Sequence, residues 1–209
     1  MKKIVIVDYG LGNIVSAQQS FVRASLDNKI SSKVIISNNP GDIEEATHVV
    51  LPGQGAFKSC MDGLKKINGM ISSLEKSIMK NKKPFLGICV GMQLLADSGL
   101  ENGTHKGLGW IEGTIKKLEV NKLKLPHMGW NTIKNSNQET KIKFDNQKDF
   151  YFVHSYYFDC LNVKNVIAYT NYGINFPSIV NKENVYGVQF HPEKSSKQGL
   201  NLIKNFLSL

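Results

Sequence analysis

Apolar and polar positions in the first half of the chain fall into two alternating kinds of run. Lys3-Ile-Val-Ile-Val-Asp8 is a short unbroken apolar run that closes on the glycine-rich Tyr9-Gly-Leu-Gly-Asn13, after which apolar positions recur at Ile14, Ala17, Phe21 and Leu26. The first pattern predicts a strand buried on both faces, the second a helical face, and the glycines mark the turn between them. Further strands are predicted at Lys33 to Ile36 and His48 to Leu51, the latter ending in Pro52-Gly-Gln-Gly55, with a helical stretch following to Lys80. Pro84-Phe-Leu-Gly-Ile-Cys89 reads as the next strand, and Val90 to Ala96 as a helix entered through a very tight turn. Alternation of this kind predicts an α/β fold with a parallel sheet and helices on its faces.

From about Gly107 the texture changes. Short runs at Trp110 to Leu118, Trp130 to Lys134, Phe150 to Tyr157, Val166 to Thr170 and Val185 to Phe190 alternate with Gly, Asn and Lys, which predicts shorter, partly antiparallel strands and hairpins. The last stretch, Ser195 to Leu209, sets Leu200, Ile203, Phe206 and Leu207 on one helical face, a closing helix over the sheet. No internal repeat interrupts this order, and a chain of 209 residues is within the range of one core, so a single domain over residues 1–209 is expected.

Composition narrows the setting. A hydrophobic fraction of 41% is that of a globular chain rather than a disordered one. The apolar run after Lys2 and Lys3 is too short for an export signal, and no run approaches the roughly 20 residues of a membrane span. Three cysteines, Cys60, Cys89 and Cys160, make an odd set without a disulfide framework, so a reducing cytoplasm is the expected location and no membrane contact is expected. The formal charge of +9 comes almost wholly from scattered lysines, with Arg23 the only arginine. Nucleic-acid recognition leans on clustered arginines, so no nucleic-acid partner is expected, and the lysines read as a solvated surface.

The chemistry centres on Gly87-Ile-Cys89-Val90-Gly91, which has the form of a nucleophile elbow. Glycines on both sides let a strand reverse into a helix and expose the central side chain. The same turn aims the Val90 N–H in front of the sulfur, and a helix N-terminus favours the thiolate. Cys60 and Cys160 have no such turn and read as structural. A thiolate needs a base, and His191-Pro192-Glu193 follows a predicted strand; in extended backbone His191 and Glu193 project to one side, so the carboxylate can orient the imidazole. The Pro52-Gly-Gln-Gly55 turn is placed to bring a second backbone N–H near an oxyanion. No metal or cofactor is expected; the chain has no phosphate-binding loop, and Gly10-Leu-Gly12 is only a fragment of a dinucleotide fingerprint.

These segments, together with Pro126-His-Met-Gly-Trp-Asn131, Tyr151-Phe-Val-His-Ser-Tyr156 and Gly187-Val-Gln-Phe-His-Pro-Glu-Lys-Ser195, resemble the class I glutamine amidotransferases almost end to end, and within them the glutaminase subunits that serve imidazole glycerol phosphate synthase. The resemblance implies a flavodoxin-like fold with a mixed, mostly parallel sheet. It implies Cys89 as nucleophile, His191 as proton shuttle and Glu193 as its orienter, with an oxyanion hole from the backbone of Gly53, Gln54 and Val90. Gln93, His154, Ser155 and Tyr156 would hold glutamine, while Met128, Tyr151 and Lys194 would face a separate (β/α)8 cyclase subunit, the heterodimer partner that receives the ammonia. Two departures from the family pattern stand out, Gln54 in place of a small aliphatic residue and Asp97-Ser-Gly-Leu-Glu101 after the nucleophile helix. A paralogous glutaminase for surface-sugar amidination and a silent docking subunit are the competing readings.

Overall fold

A computed structural model describes all 209 residues. Five of the apolar runs form the parallel part of the central sheet: β1 (Lys2–Val7), β2 (Ser32–Ser37), β3 (His48–Gly53), β4 (Phe85–Cys89) and, from the far end of the chain, β14 (Val185–Val188). They lie in the order β2-β1-β3-β4-β14 with each neighbouring pair parallel. Ile4 to Val7, Val49 to Leu51 and Phe85 to Ile88 are buried because helices cover both faces, which is why these strands read as continuous apolar runs.

One face carries α1 (Ile14–Asp27) and α6 (Ser196–Leu207), where Phe21 meets Phe206 edge-on at a centroid distance of 6.2 Å. α2 (Pro40–Glu45), α3 (Phe57–Lys66) and α4 (Met70–Leu74) pack together on the other face, with α4 running on into π-helical turns at Glu75–Lys80. The buried stripe of α1 is Ala17, Phe21 and Ala24, while Leu26, assigned to it from spacing, is 73% exposed. No helix is long and apolar enough to cross a membrane.

The expected helix from Val90 to Ala96 stops early. Only Val90–Gln93 is helical (α5), because the carbonyls of Leu94, Leu95 and Ala96 accept backbone N–H groups from Leu108 to Ile111 instead of continuing a helix. The second half supplies β5 (Ser98–Gly99), β6 (His105–Lys106), β7 (Gly113–Lys117), β8 (His127–Thr132), β9 (Lys134–Asn135), β10 (Asp149–His154), β11 (Tyr156–Cys160), β12 (Val166–Tyr172) and β13 (Ile174–Lys182).

β13, β12 and β9 extend the main sheet antiparallel beyond β14, giving eight strands. β13 escaped the sequence pattern because Pro177 interrupts its run; it pairs with Tyr169, next to a register shift in β12 where a missing N–H is tolerated. The run Phe150 to Tyr157 is two strands rather than one. β10 pairs with β8 in a two-stranded ribbon, and after Ser155 β11 joins β7, β5 and β6 in a separate sheet. That break turns His154, Ser155 and Tyr156 toward the carboxyl ends of β3, β4 and β14, where ligands of open α/β sheets bind.

Candidate active site

At the end of β4 the chain reverses at Cys89, whose φ of 54° and ψ of −112° lie outside the ordinary regions for a non-glycine residue. Such a conformation costs of order 1–3 kcal/mol and persists only where the surroundings fix it. Here the surroundings are glycines: a Cβ on Gly91 would sit 1.8 Å from the Leu51 carbonyl oxygen, and one on Gly53 would sit 2.5 Å from the Gly91 nitrogen. The elbow is therefore pressed against β3, with Gly53 and Cys89 in register as strand neighbours. Cys89 itself is only 4% exposed. Its thiol donates to the Val153 carbonyl at 3.7 Å, and its sulfur accepts from Gln189 Nε2 at 3.8 Å.

β14 lies directly beside β4, and the chain leaving it delivers His191 to the same edge. The His191 N–H donates to the Tyr151 carbonyl at 2.9 Å, which ties this segment to the ribbon. His191 Nδ1 and Glu193 Oε1 are 2.8 Å apart, so Nε2 is the nitrogen left to face the sulfur. The contact is made differently from the extended-strand expectation: Pro192–Lys194 is a single 3-10 turn that curls the carboxylate back under the ring. Both side chains are nearly sealed from solvent, and Glu193 Oε2 has no hydrogen-bond partner. Burial acts to lower the His191 pKa, but hydrogen bonding and charge from Cys89 and Glu193 outweigh it and raise it from 6.5 to about 10. The site is thus built to hold the imidazole as a cation once it has taken a proton.

Across the sulfur, the Pro52-Gly-Gln-Gly55 turn is held from behind. The Tyr9 hydroxyl donates to the Pro52 carbonyl at 2.7 Å and the Cys60 thiol to the Gln54 carbonyl at 3.5 Å. Burial pushes the Cys60 thiol up, in keeping with a structural role. Gly55 follows with φ of +99°, a left-handed conformation that suits glycine. Gln54 and Gly55 reach the cavity wall, whereas Gly53 packs behind it against Val90 and Gly91.

A cavity of about 210 Å³ opens between these pieces, lined by Gln54, Gly55, Cys89, Val90, Gln93, Glu101, Pro126, Val153, His154, Ser155, Tyr156, His191 and Lys194. Its size suits an amino acid rather than a larger ligand. A wider depression of about 830 Å³ around Gln138 to Phe144 holds no cysteine and no histidine. The Asp97–Glu101 segment has a definite place: Asp97 accepts from the Gly113 N–H at 2.9 Å, and Glu101 accepts from the Phe57 N–H at 2.7 Å at the start of α3.

Gln93, His154, Ser155 and Tyr156 all line the cavity. His154, however, has both ring nitrogens engaged, Nδ1 with the Tyr156 carbonyl and Nε2 with His127 Nδ1, each at 2.9 Å. Burial lowers its pKa to about 3 and that of His127 to about 4, so both rings are neutral. Lys194 lines the cavity with its ammonium 6.0 Å from the Tyr151 ring centroid, and Met128 is exposed on the ribbon. Trp130 belongs with them, edge-on to Tyr151 at 5.9 Å and 54% exposed. Sequence reading missed it, together with Gln189 and Glu101. Period-two alternation along the ribbon would have placed Trp130 on the same face as Met128.

Set beside known proteins, residues 5–209 match the family model "Glutamine amidotransferase class-I". A Pelagibacter ubique protein called imidazole glycerol phosphate synthase subunit HisH is 48% identical, with 99% of each chain covered. Proteins of the same name from Methanococcus maripaludis (HisH 2, 45% identical) and Rhodospirillum rubrum (41%) cover 98% of each chain. Among solved structures, a glutamine amidotransferase superposes with a TM-score of 0.69 at 18% identity, covering 98% of this chain and 97% of the other. Another, from Thermotoga maritima, gives 0.61 at 17% identity over 92% and 76%. These two share the fold.

Proposed function

The chain belongs to the class I glutamine amidotransferase family, and from that premise we infer that it is the glutaminase subunit of an imidazole glycerol phosphate synthase in histidine biosynthesis. It hydrolyses glutamine to glutamate and ammonia and passes the ammonia to a (β/α)8 cyclase subunit in a cytoplasmic heterodimer. Residues 1–209 act as one amidotransferase domain without metal or cofactor. The observation that carries the catalytic assignment is the strained Cys89 at the end of β4, facing a His191 that Glu193 holds at 2.8 Å.

In this mechanism His191 takes the thiol proton, and the Cys89 sulfur attacks the side-chain carboxamide carbon of glutamine. The carbonyl electrons move onto oxygen, and the resulting oxyanion is met by the N–H of Val90 at the start of α5 and by the Gly53–Gln54 peptide. His191, held as a cation by Glu193, then gives its proton to the leaving nitrogen, and ammonia departs as the γ-glutamyl thioester forms. A water deprotonated by His191 attacks the thioester, and glutamate leaves with the thiol restored. Gln93 spends both amide hydrogens inward, on the Tyr156 carbonyl and Gln189 Oε1, so its own oxygen is what it can offer the substrate. Ser155 and Tyr156 complete that wall. Met128, Trp130, Tyr151 and Lys194 form the face on which the cyclase seats, next to the mouth from which ammonia leaves.

In the resting subunit the thiol proton is parked on the Val153 carbonyl and the oxyanion turn is pinned by Tyr9 and Cys60. The isolated subunit is therefore slow, and partner binding shifts the population to the competent turn. The test is glutamate release by the free subunit, by the complex, and by the complex with the cyclase ligand. Rising turnover across the three supports the reading, while equal turnover contradicts the switch.

A further inference from the structure

Five polar side chains and one carbonyl form a continuous hydrogen-bonded chain from the ribbon to the Cys89 sulfur: Asn131, His127, His154, the Tyr156 carbonyl, Gln93 and Gln189. Every proton in it can be placed. Asn131 Oδ1 accepts the Thr132 N–H at 2.8 Å, so its nitrogen is the end that donates to the Asn171 carbonyl at 2.9 Å and meets His127 Nε2 at 3.1 Å. His127 must accept at Nε2 and carry its proton on Nδ1. That proton faces His154 Nε2 at 2.9 Å, so His154 also carries its proton on Nδ1 and donates to the Tyr156 carbonyl at 2.9 Å.

Reading from the other end gives the same answer, because a carbonyl can only accept. The Tyr156 carbonyl takes a second hydrogen bond from Gln93 Nε2 at 3.0 Å, and that nitrogen also donates to Gln189 Oε1 at 3.1 Å. With its oxygen so engaged, Gln189 can turn only its nitrogen to the sulfur, at 3.8 Å. Gln189 is completely buried, so no water competes for this orientation.

We propose that this chain fixes the amide of Gln189 so that its N–H faces Cys89, which makes Gln189 a positioning residue for the nucleophile and its thiolate. The inference rests on the glutaminase reading, in which Cys89 is the nucleophile. The sulfur has two hydrogen-bonded neighbours of opposite character. The Val153 carbonyl suits the S–H and has nothing to offer an anion, whereas the Gln189 N–H gains strength when the sulfur ionises. The histidine links hold only while both rings are neutral: a proton on His154 Nε2 would oppose the His127 Nδ1–H and break the chain. Burial keeps both in that state.

Two measurements on the full chain test it. With 15N-labelled histidine, long-range proton–nitrogen correlation near neutral pH is expected to show His127 and His154 neutral and protonated on Nδ1. Either ring protonated on Nε2, or exchanging between forms, overturns the chain. In Gln189→Met, which keeps the length and removes the donor, alkylation of Cys89 by iodoacetamide, read by peptide mapping, is expected to slow roughly tenfold or more. The other titratable groups acting on the sulfur, His191, Tyr9 and Cys60, are unchanged by the substitution. Alkylation at the wild-type rate overturns the positioning role, and the tautomer measurement on unsubstituted protein decides the chain even if this variant folds poorly. A wild-type Cys89 inert to a glutamine-analogue electrophile would instead break the glutaminase reading and leave the tautomers standing.

Discussion

The parallel half of the molecule and its antiparallel half reach the same cavity by different means. In the parallel half, backbone topology places the reacting groups: β3, β4 and β14 are adjacent, and their ends deliver the Pro52–Gly55 turn, Cys89 and His191. In the antiparallel half, side-chain hydrogen bonds between β8, β10 and the start of β11 shape the wall, and the outer face of the ribbon leaves Met128 and Trp130 in solvent. On the proposed function, chemistry belongs to the first half and binding and docking to the second. Substitutions should separate along that line.

The largest effect is expected at the elbow. Cys89→Ala should lower glutamine-dependent turnover by about 10⁴-fold or more, as removal of a nucleophile does elsewhere. The complex should still assemble and use free ammonia. A parallel loss of ammonia-dependent synthesis would mean that the halves are not separable. Next in size, His191→Asn should cost about 10²–10⁴-fold in turnover, since proton transfer is lost. Glu193→Gln should cost less, because it removes orientation and charge stabilisation but leaves the ring; steady-state kinetics showing the reverse order would exchange their roles.

Gly91→Ala tests the backbone argument alone. Its Cβ would meet the Leu51 carbonyl oxygen at 1.8 Å, so we expect a loss of roughly 3 kcal/mol or more in denaturant unfolding. A wild-type midpoint would show that the elbow is not pressed on β3 as described. In the other half, Trp130→Ala should weaken binding of the cyclase by about tenfold or more while leaving the thermal midpoint nearly unchanged, since the ring is exposed. Calorimetric titration and a melting curve give both numbers, and a fall in stability without a change in affinity would return Trp130 to a structural role.

The smallest expected effect is on stability against pH, where His191 acts with the opposite sign to the buried neutral histidines. His191 has a raised pKa, so its contribution is full below 6.5 and is lost as pH rises toward about 10. His127 and His154 have lowered values, so their contribution is present above 6.5 and is lost as pH falls toward about 4 and about 3. His48, lowered to about 4 by burial beneath Phe206, acts in the same direction. Stability measured by denaturant titration should therefore peak near 6.5, and His191→Asn should flatten only the alkaline side.

The two halves also differ in how far the sequence revealed them. The strands of the parallel half were readable because burial on both faces demands runs such as Ile4 to Val7, and the elbow because glycines at 87 and 91 have no substitute at that spacing. Cys89, His191 and Glu193 follow from those turns. The antiparallel half was harder. Pro177 disguised β13, the break at Ser155 was hidden inside an apolar run, and the termination of α5 depends on carbonyls captured by a segment fifteen or so residues on. Gln189 and His127 had no local signal, because their partners are 100 and 27 residues away in the chain. Hydrogen bonds of that range belong to the tertiary structure and leave no period in the sequence.

In the proposed mechanism Cys89 carries the glutamyl group during turnover. Quenching the complex in acid while it turns over glutamine, and then weighing the intact chain and its peptides, tests this directly. A fraction of chains should be heavier by one γ-glutamyl group (glutamine less ammonia), mapped to the peptide containing Cys89 and absent in Cys89→Ala. Sustained glutamate release with no adduct on Cys89, or with full activity retained in Cys89→Ala, would contradict it.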